Sequence, residues 1–393
     1  MRAPYIRVVG AVSAAHFVSH FYIILLAPLL PVVRAEYAVS YTEIGLAFAA
    51  FNIVSAALQT PAGFLVDRLG ARILLVAGLL VGSGAFIIAG LVHSFWVMVA
   101  MFALAGVGNT VYHPADYALL SHHVPSDRIG QAFSVHTFAG MLGSAVAPGS
   151  LLIMQSLWGW RGAFIGAGAI GITVAAILLA MRDYPGASAH VSPAVSGSDR
   201  TIASWRLLLS APILLNLVFF VLLAMISGGI YNYSVVALGS LYGTPMSTAN
   251  AALSGNLFWS AIGVLFGGLL VSRTTRHGMV ATLGLAAMTL LTVLIAQIDL
   301  GALMLVAAMS LSGFFSGVIM PSRDMIVREV TPPGSFGKVF GFVTTGFNIG
   351  GIISPLIFGA IMDHGSPRLV FLSVAAFSLI AIITVTIRPR RAE

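Results

Sequence analysis

The chain has 393 residues, 59% of them hydrophobic and 8% charged, with a formal net charge of +7 and no cysteine. A soluble domain carries about 25% charged residues, so the composition excludes an ordinary soluble protein and makes lipid the solvent for most of the surface. The missing cysteines exclude disulfides and thiolate chemistry. The basic residues lie between apolar runs and form no sustained tract, which argues against nucleic acid as a partner.

A membrane-crossing helix needs about 20 apolar residues. By that measure the sequence predicts twelve spans, near 8–33, 41–64, 73–92, 95–119, 131–155, 161–181, 207–235, 248–271, 279–298, 301–322, 338–360 and 369–387. The first run exceeds the roughly 7–15 residues of a signal-peptide core and is read as a retained span. With the N-terminus inside, only Arg34, Arg161 and Arg368 of the 19 lysines and arginines fall outside. The positive-inside rule then expects both termini in the cytoplasm. Trp96, Trp158 and Trp160 at outer ends, and Trp205 at an inner end, read as interfacial anchors.

The stretch 182–206 holds "DYPGASAHVSPAVSGSDR" and reads as a cytoplasmic linker between a first six-span half, 1–181, and a second, 207–393. The halves repeat each other. "LAGVGNTVYHP" from Leu104 aligns without gaps on "LSGFFSGVIMP" from Leu311, an offset of 207 that also pairs Gly143 with Gly350 and Pro148 with Pro355. A nearby offset of 205 lays "GFLVDR" (Gly63–Arg68) on "GLLVSR" (Gly268–Arg273). Parallel halves of this kind place a substrate site at their interface and permit alternating access by rocking.

"GFLVDRLGAR" resembles the G-x-x-x-D-R-x-G-x-R/K signature of the major facilitator superfamily through Gly63, Asp67, Arg68, Gly70 and Arg72. Within it, "AHFVSHF" in span 1 and "GVGNTVYHP" in span 4 resemble the fosmidomycin-resistance group of efflux proteins. The resemblance implies an all-α polytopic fold of two six-helix pseudo-repeats, with spans 1, 4, 7 and 10 lining a central cavity. It implies a conformational latch in the loop between spans 2 and 3. "GMLGSAVAPG" (Gly140–Gly149) loosely resembles the antiporter signature of drug exporters, but close helix packing by small residues is an even alternative.

Ionisable groups inside spans are functional candidates because lipid penalises them. Asn109, Tyr112, His113 and Asp116 recur in span 4 at three- and four-residue spacing and so share a helix face. Pro114 cannot bond the carbonyl of Thr110, nor Pro321 that of Gly317, and each lets its helix bend, as does Pro148. The repeat sets Arg323 at the position equivalent to Asp116, a pair expected to couple gating to protonation. His16 and His20 lie one turn apart in span 1, with His20 favoured as the deeper. Histidine titrates near neutral pH and suits a proton carrier. With His113 as a third ligand the two could also hold a metal, but no carboxylate accompanies them in span 1, so no metal is expected. Tyr231 and Asn232 of span 7 are candidate substrate contacts or interface residues. Asn216, Asn52, Gln59 and His136 are weaker candidates, and His122 and His123 read as loop residues leaving span 4.

No phosphate loop and no hydrolytic triad is present, so an ion gradient is the expected energy source. The sequence therefore reads as a secondary transporter of the inner membrane, not an enzyme. Expected proton carriers are Asp116, His113 and His20. Expected substrate contacts are His16, His20, Asn109, Tyr112, His113, Arg323, Tyr231 and Asn232. Export of a small amphiphilic or anionic compound by proton antiport is the first reading, and proton-driven import of an organic anion or metal chelate the second. The partners are substrate, protons and the bilayer, with the chain acting as a monomer and without a cofactor.

Overall fold

The computed structural model describes residues 4–125, 128–181, 206–332 and 335–387. Among them, eleven helical stretches are long and apolar enough to cross a membrane. The longest, Ile129–Ala180, is two helices joined at Gly159, whose φ of 69° and ψ of 170° are non-helical. That break divides spans 5 and 6 within the predicted 155–161 gap and brings the spans to twelve. The linker 182–206 and Trp205 lie outside the described residues, apart from residue 206.

Local chemistry sets the helix ends. Span 2 (Tyr41–Leu69) starts on a capping box in which Ser40 Oγ accepts from the Glu43 N–H at 3.1 Å. In return the Ser40 N–H donates to Glu43 Oε2 at 2.7 Å, so two otherwise orphaned donors are satisfied. Span 3 (Ala71–Leu91) follows after Gly70 alone, which turns the chain with φ at 91°. Span 4 is split into Phe95–Asn109 and Tyr112–His123. The break at Thr110–Val111 lies where the ring of Pro114 displaces the carbonyl four residues earlier. His122 and His123, expected in a loop, instead form the last turn of this helix, and His123 Nδ1 reaches Leu119 O at 2.9 Å. Span 7 runs from Ala211 to Tyr242 through a π-helical turn at Gly229–Tyr233.

The chain folds as two compact units, Met1–Ser192 and Pro193–Glu393. In the first, span 1 packs on span 5, span 2 on span 4, and span 3 on spans 4 and 6. In the second the same pattern recurs as 7 on 11, 8 on 10, and 9 on 10 and 12. Small residues bring the backbones together: a Cβ on Gly106 would lie 2.6 Å from Phe51 O, and one on Gly313 would fall on Asn256 O. Gly106 and Gly313 are 207 apart and Phe51 and Asn256 are 205 apart, so the repeat seen in the sequence is a repeat of contacts. Large apolar side chains such as Phe64, Leu290 and Leu303 stay outward, 67%, 72% and 77% exposed, as expected where lipid is the solvent.

Trp160 departs from its expected role as an interfacial anchor. It is 5% exposed, and its Nε1 donates to Glu36 Oε2. Arg161 Nη2 meets Glu36 Oε1 at 2.7 Å, and Arg161 Nη1 donates to Val92 O at 3.1 Å. This knot ties the ends of spans 1 and 3 to the start of span 6. Trp96 and Trp158 are exposed as anchors require.

Candidate functional site

The first unit buries a cluster of histidines around one acid. Asp116 has no exposed surface, and His16 and His136 are 4% and 1% exposed. His16 Nδ1 lies 3.3 Å from Asp116 Oδ2, and His136 Nε2 lies 3.7 Å from the same oxygen. The two imidazoles stack with centroids 3.8 Å apart. His20 and His113 flank His16 at 4.6 and 5.3 Å, and His20 Nδ1 meets Ser144 Oγ at 3.2 Å. His113 is exposed and His20 half-buried, while His16, His136 and Asp116 are enclosed.

Three spans assemble this group. Span 1 supplies His16 and His20 one turn apart, the second segment of span 4 supplies His113 and Asp116, and span 5 supplies His136 and Ser144. Gly140 makes room for it: a Cβ there would lie 2.5 Å from His16 Cδ2, 2.7 Å from His16 Nε2 and 3.0 Å from His20 Cδ2. Gly143, one turn on, sits against the backbone of Phe17. Gly140 and Gly143 of "GMLGSAVAPG" thus pack closely against span 1, whereas Gly149 has open space around it.

An ionised carboxylate this far from water needs a counter-charge or several hydrogen bonds. Neither Asp116 oxygen has an aligned hydrogen bond, and neither have His16 Nδ1 and both nitrogens of His136. The two contacts to Asp116 are therefore short charge contacts without hydrogen-bond alignment. An imidazolium at His16 or His136, a proton on Asp116 or a bound cation would balance the site.

The second unit carries the pseudo-symmetric counterpart with different chemistry. At an offset of 207, Asp116 becomes Arg323, Gly140 becomes Phe347 and His136 becomes Val343. Gly350 presses on Val221 O as Gly143 does on Phe17 O, so spans 1 and 7 correspond at an offset of 204 and His16 becomes Phe220. The Arg323 guanidinium lies over the rings of Phe220 and Phe347, 4.8 and 5.1 Å from their centroids. Its Nε and Nη2 both meet Asp324 Oδ1 at 2.8 Å. Arg323 is 12% exposed and Asp324 49%. Each member of the pair expected from the repeat therefore has partners of its own within its own half.

The remaining expected residues divide. Asn109 precedes the span 4 break and turns to Ser55 Oγ at 3.2 Å, away from the histidines. Tyr112 is buried with its hydroxyl unpaired. Of the span 1 pair, His16 is buried and His20 half-buried. Tyr231 and Asn232 are half-buried on the π-helical turn, a distortion frequent at functional sites. Asn216 donates to Pro212 O and lines a cavity of about 310 Å³ in the second unit. In the signature loop, Arg72 Nη2 donates to Leu178 O and Leu179 O at 2.8 and 3.1 Å, capping the end of span 6. Arg68 is exposed, Gly63 is half-buried, and the Asp67 side chain lies outside the described residues. Of the three prolines expected to bend helices, Pro114 accompanies a break, whereas the helix continues through Pro321 and Pro148. His136 is the residue that sequence reasoning undervalues: it lies 20 positions from Asp116 on another span, where no spacing rule connects them.

The family model described as Major Facilitator Superfamily matches residues 12–246 and 217–393. The chain belongs to the major facilitator superfamily. Among relatives, the fosmidomycin resistance protein of Escherichia coli K12 is 24% identical, across 98% of this chain and 93% of its own. The probable sulfoacetate transporter of Cupriavidus necator is 25% identical over 97% and 93%. The quinolone resistance protein NorA of Staphylococcus aureus is 22% identical over 92% of each chain. The fold matches a bacterial homologue of the lysosomal transporter Spinster, in an inward-facing unoccupied conformation, with a TM-score of 0.80, 15% identity and coverage of 98% and 97%. The nucleoside transporter NupG matches at 0.78, with 16% identity over 97% of each chain. This superfamily member is a multi-pass membrane transporter, and its relatives include both resistance proteins and transporters named for sulfoacetate and galactonate.

Proposed function

We propose that the protein exports a small amphiphilic or anionic organic compound in exchange for protons, by alternating access in the inner membrane with both termini cytoplasmic. The observation that carries this reading is Asp116, fully buried against His16 and His136 and joined through His16 to the exposed His113. Such an array can take a proton at its accessible end and hold it where water does not reach. In the second half Arg323 is the anion contact. Its carboxylate partner, Asp324, is half exposed, so a substrate anion can displace it while the two phenylalanine rings keep the guanidinium in place. Tyr231 and Asn232 complete the substrate surface. The signature loop, with Asp67 and Arg68, acts as the conformational latch.

The names of the relatives supply a first panel: fosmidomycin, sulfoacetate, galactonate and a quinolone. A thermal-shift screen of the purified protein selects the compound for flux assays in proteoliposomes. Asp116→Asn is expected to abolish transport driven by a pH gradient while sparing substrate counterflow. Gradient-driven transport by that variant at the wild-type rate would defeat the coupling role of Asp116. Import of an organic anion is the second reading; the sulfoacetate and galactonate transporters among the relatives support an anionic substrate in either direction.

A further inference from the structure

We propose that His16, Asp116 and His136 form a binding site for one divalent transition-metal ion of the zinc class. One ligand atom from each of His16, Asp116 and His136 lies within 4.8 Å of the other two, and all three residues are buried. Zinc bonds of about 2.1 Å at tetrahedral angles set neighbouring donors roughly 3.4 Å apart. The two measured separations from Asp116 Oδ2, 3.3 and 3.7 Å, bracket that value.

A second observation points the same way. The lone pairs of these atoms are nine-tenths or more buried, yet lack aligned hydrogen bonds. A hydrogen bond needs a hydrogen on the line between two atoms, whereas a metal needs several lone pairs converging on a point. As they stand, the two imidazole planes are stacked at 28° with centroids 3.8 Å apart and do not meet at one ion, so ligation requires one ring to turn about its side-chain bonds. The carboxylate missing from span 1 arrives from span 4, which is what the sequence could not disclose.

Ligand chemistry narrows the ion. Two imidazoles and one carboxylate suit zinc, cobalt and their neighbours, whereas calcium and magnesium prefer all-oxygen shells. Three protein ligands leave a position open on the ion. The exposed His113, 5.3 Å from His16, marks the accessible side. Ion and proton would compete for the same lone pairs, so a bound metal blocks the coupling proposed above. The metal site itself stands on geometry alone and does not rest on the antiport reading.

The test is Co²⁺ titration of the tag-free, detergent-purified full chain, read by visible d–d absorption and without substrate or gradient. One equivalent per chain is expected, displaced by Zn²⁺. Asp116→Asn and His136→Gln should each weaken binding at least ~10-fold, since even outer-shell changes cost a metal site that much. His277→Gln, which alters a histidine 3.9 Å from Glu329 in the other half, should bind as the wild type does. Absence of the absorption band, or equal binding by all variants, would overturn the proposal. Zinc X-ray absorption on the wild type needs no variant. Two imidazoles and an oxygen in the shell are expected, and fewer than two imidazoles would equally overturn it.

Discussion

Gly140 shows how little space the buried cluster leaves. With its would-be Cβ 2.5 Å from His16 and 3.0 Å from His20, Gly140→Ala must push both imidazoles aside. Overpacking of this kind costs about 1–3 kcal/mol, and a lowered melting temperature in detergent is the expected result. Combining it with His16→Ala should recover part of the loss, with a coupling energy of about 0.5–3 kcal/mol in a double-mutant cycle; strict additivity would show that the two positions do not touch. Arg323→Lys keeps the charge but loses the planar group that covers Phe220 and Phe347. It should impair substrate affinity with little change in stability, as read by KM against melting temperature. At this scale the residue types were readable in the sequence, because histidine and aspartate are conspicuous in apolar runs. Their partners were not: Asp116 met two histidines from spans 1 and 5, and the repeat pointed instead to Arg323, which holds Asp324.

Helix ends and breaks follow from single residues. Gly159 holds φ at 69° with ψ at 170°, a region that costs other residues about 1–3 kcal/mol. Gly159→Ala should therefore lower stability by that order, measured by thermal unfolding in detergent. Arg72 binds two carbonyls at the end of span 6, where a cation also meets the negative end of the helix dipole. Its role in the signature loop is thus partly to join span 3 to span 6, and Arg72→Gln should destabilise the first half. The spans and the gap containing Gly159 were evident from hydropathy, and Pro114 announced the break at Thr110. The π-helical turn at Gly229–Tyr233 had no such marker, since apolar helical periodicity continues through it. Nor did hydropathy show that Trp160 turns inward to Glu36, because an aromatic at a span end reads the same whether it faces lipid or a carboxylate.

Across the whole molecule, one repeat carries two chemistries. The same positions form an acid among imidazoles in the first half and a guanidinium among phenyl rings in the second. The repeat itself was visible as the offsets of 207 and 205, since the close glycine contacts it encodes tolerate little change. The division of labour, protons in the first half and the anion in the second, is the central claim of this account. Proteoliposomes loaded at acidic or alkaline internal pH, with membrane potential clamped, test it regardless of how the protein is oriented. Antiport predicts that substrate accumulates above its external concentration in acid-loaded vesicles with wild-type protein, and in neither kind with Asp116→Asn. Accumulation in alkaline-loaded vesicles, or identical behaviour of the wild type and Asp116→Asn, would contradict it.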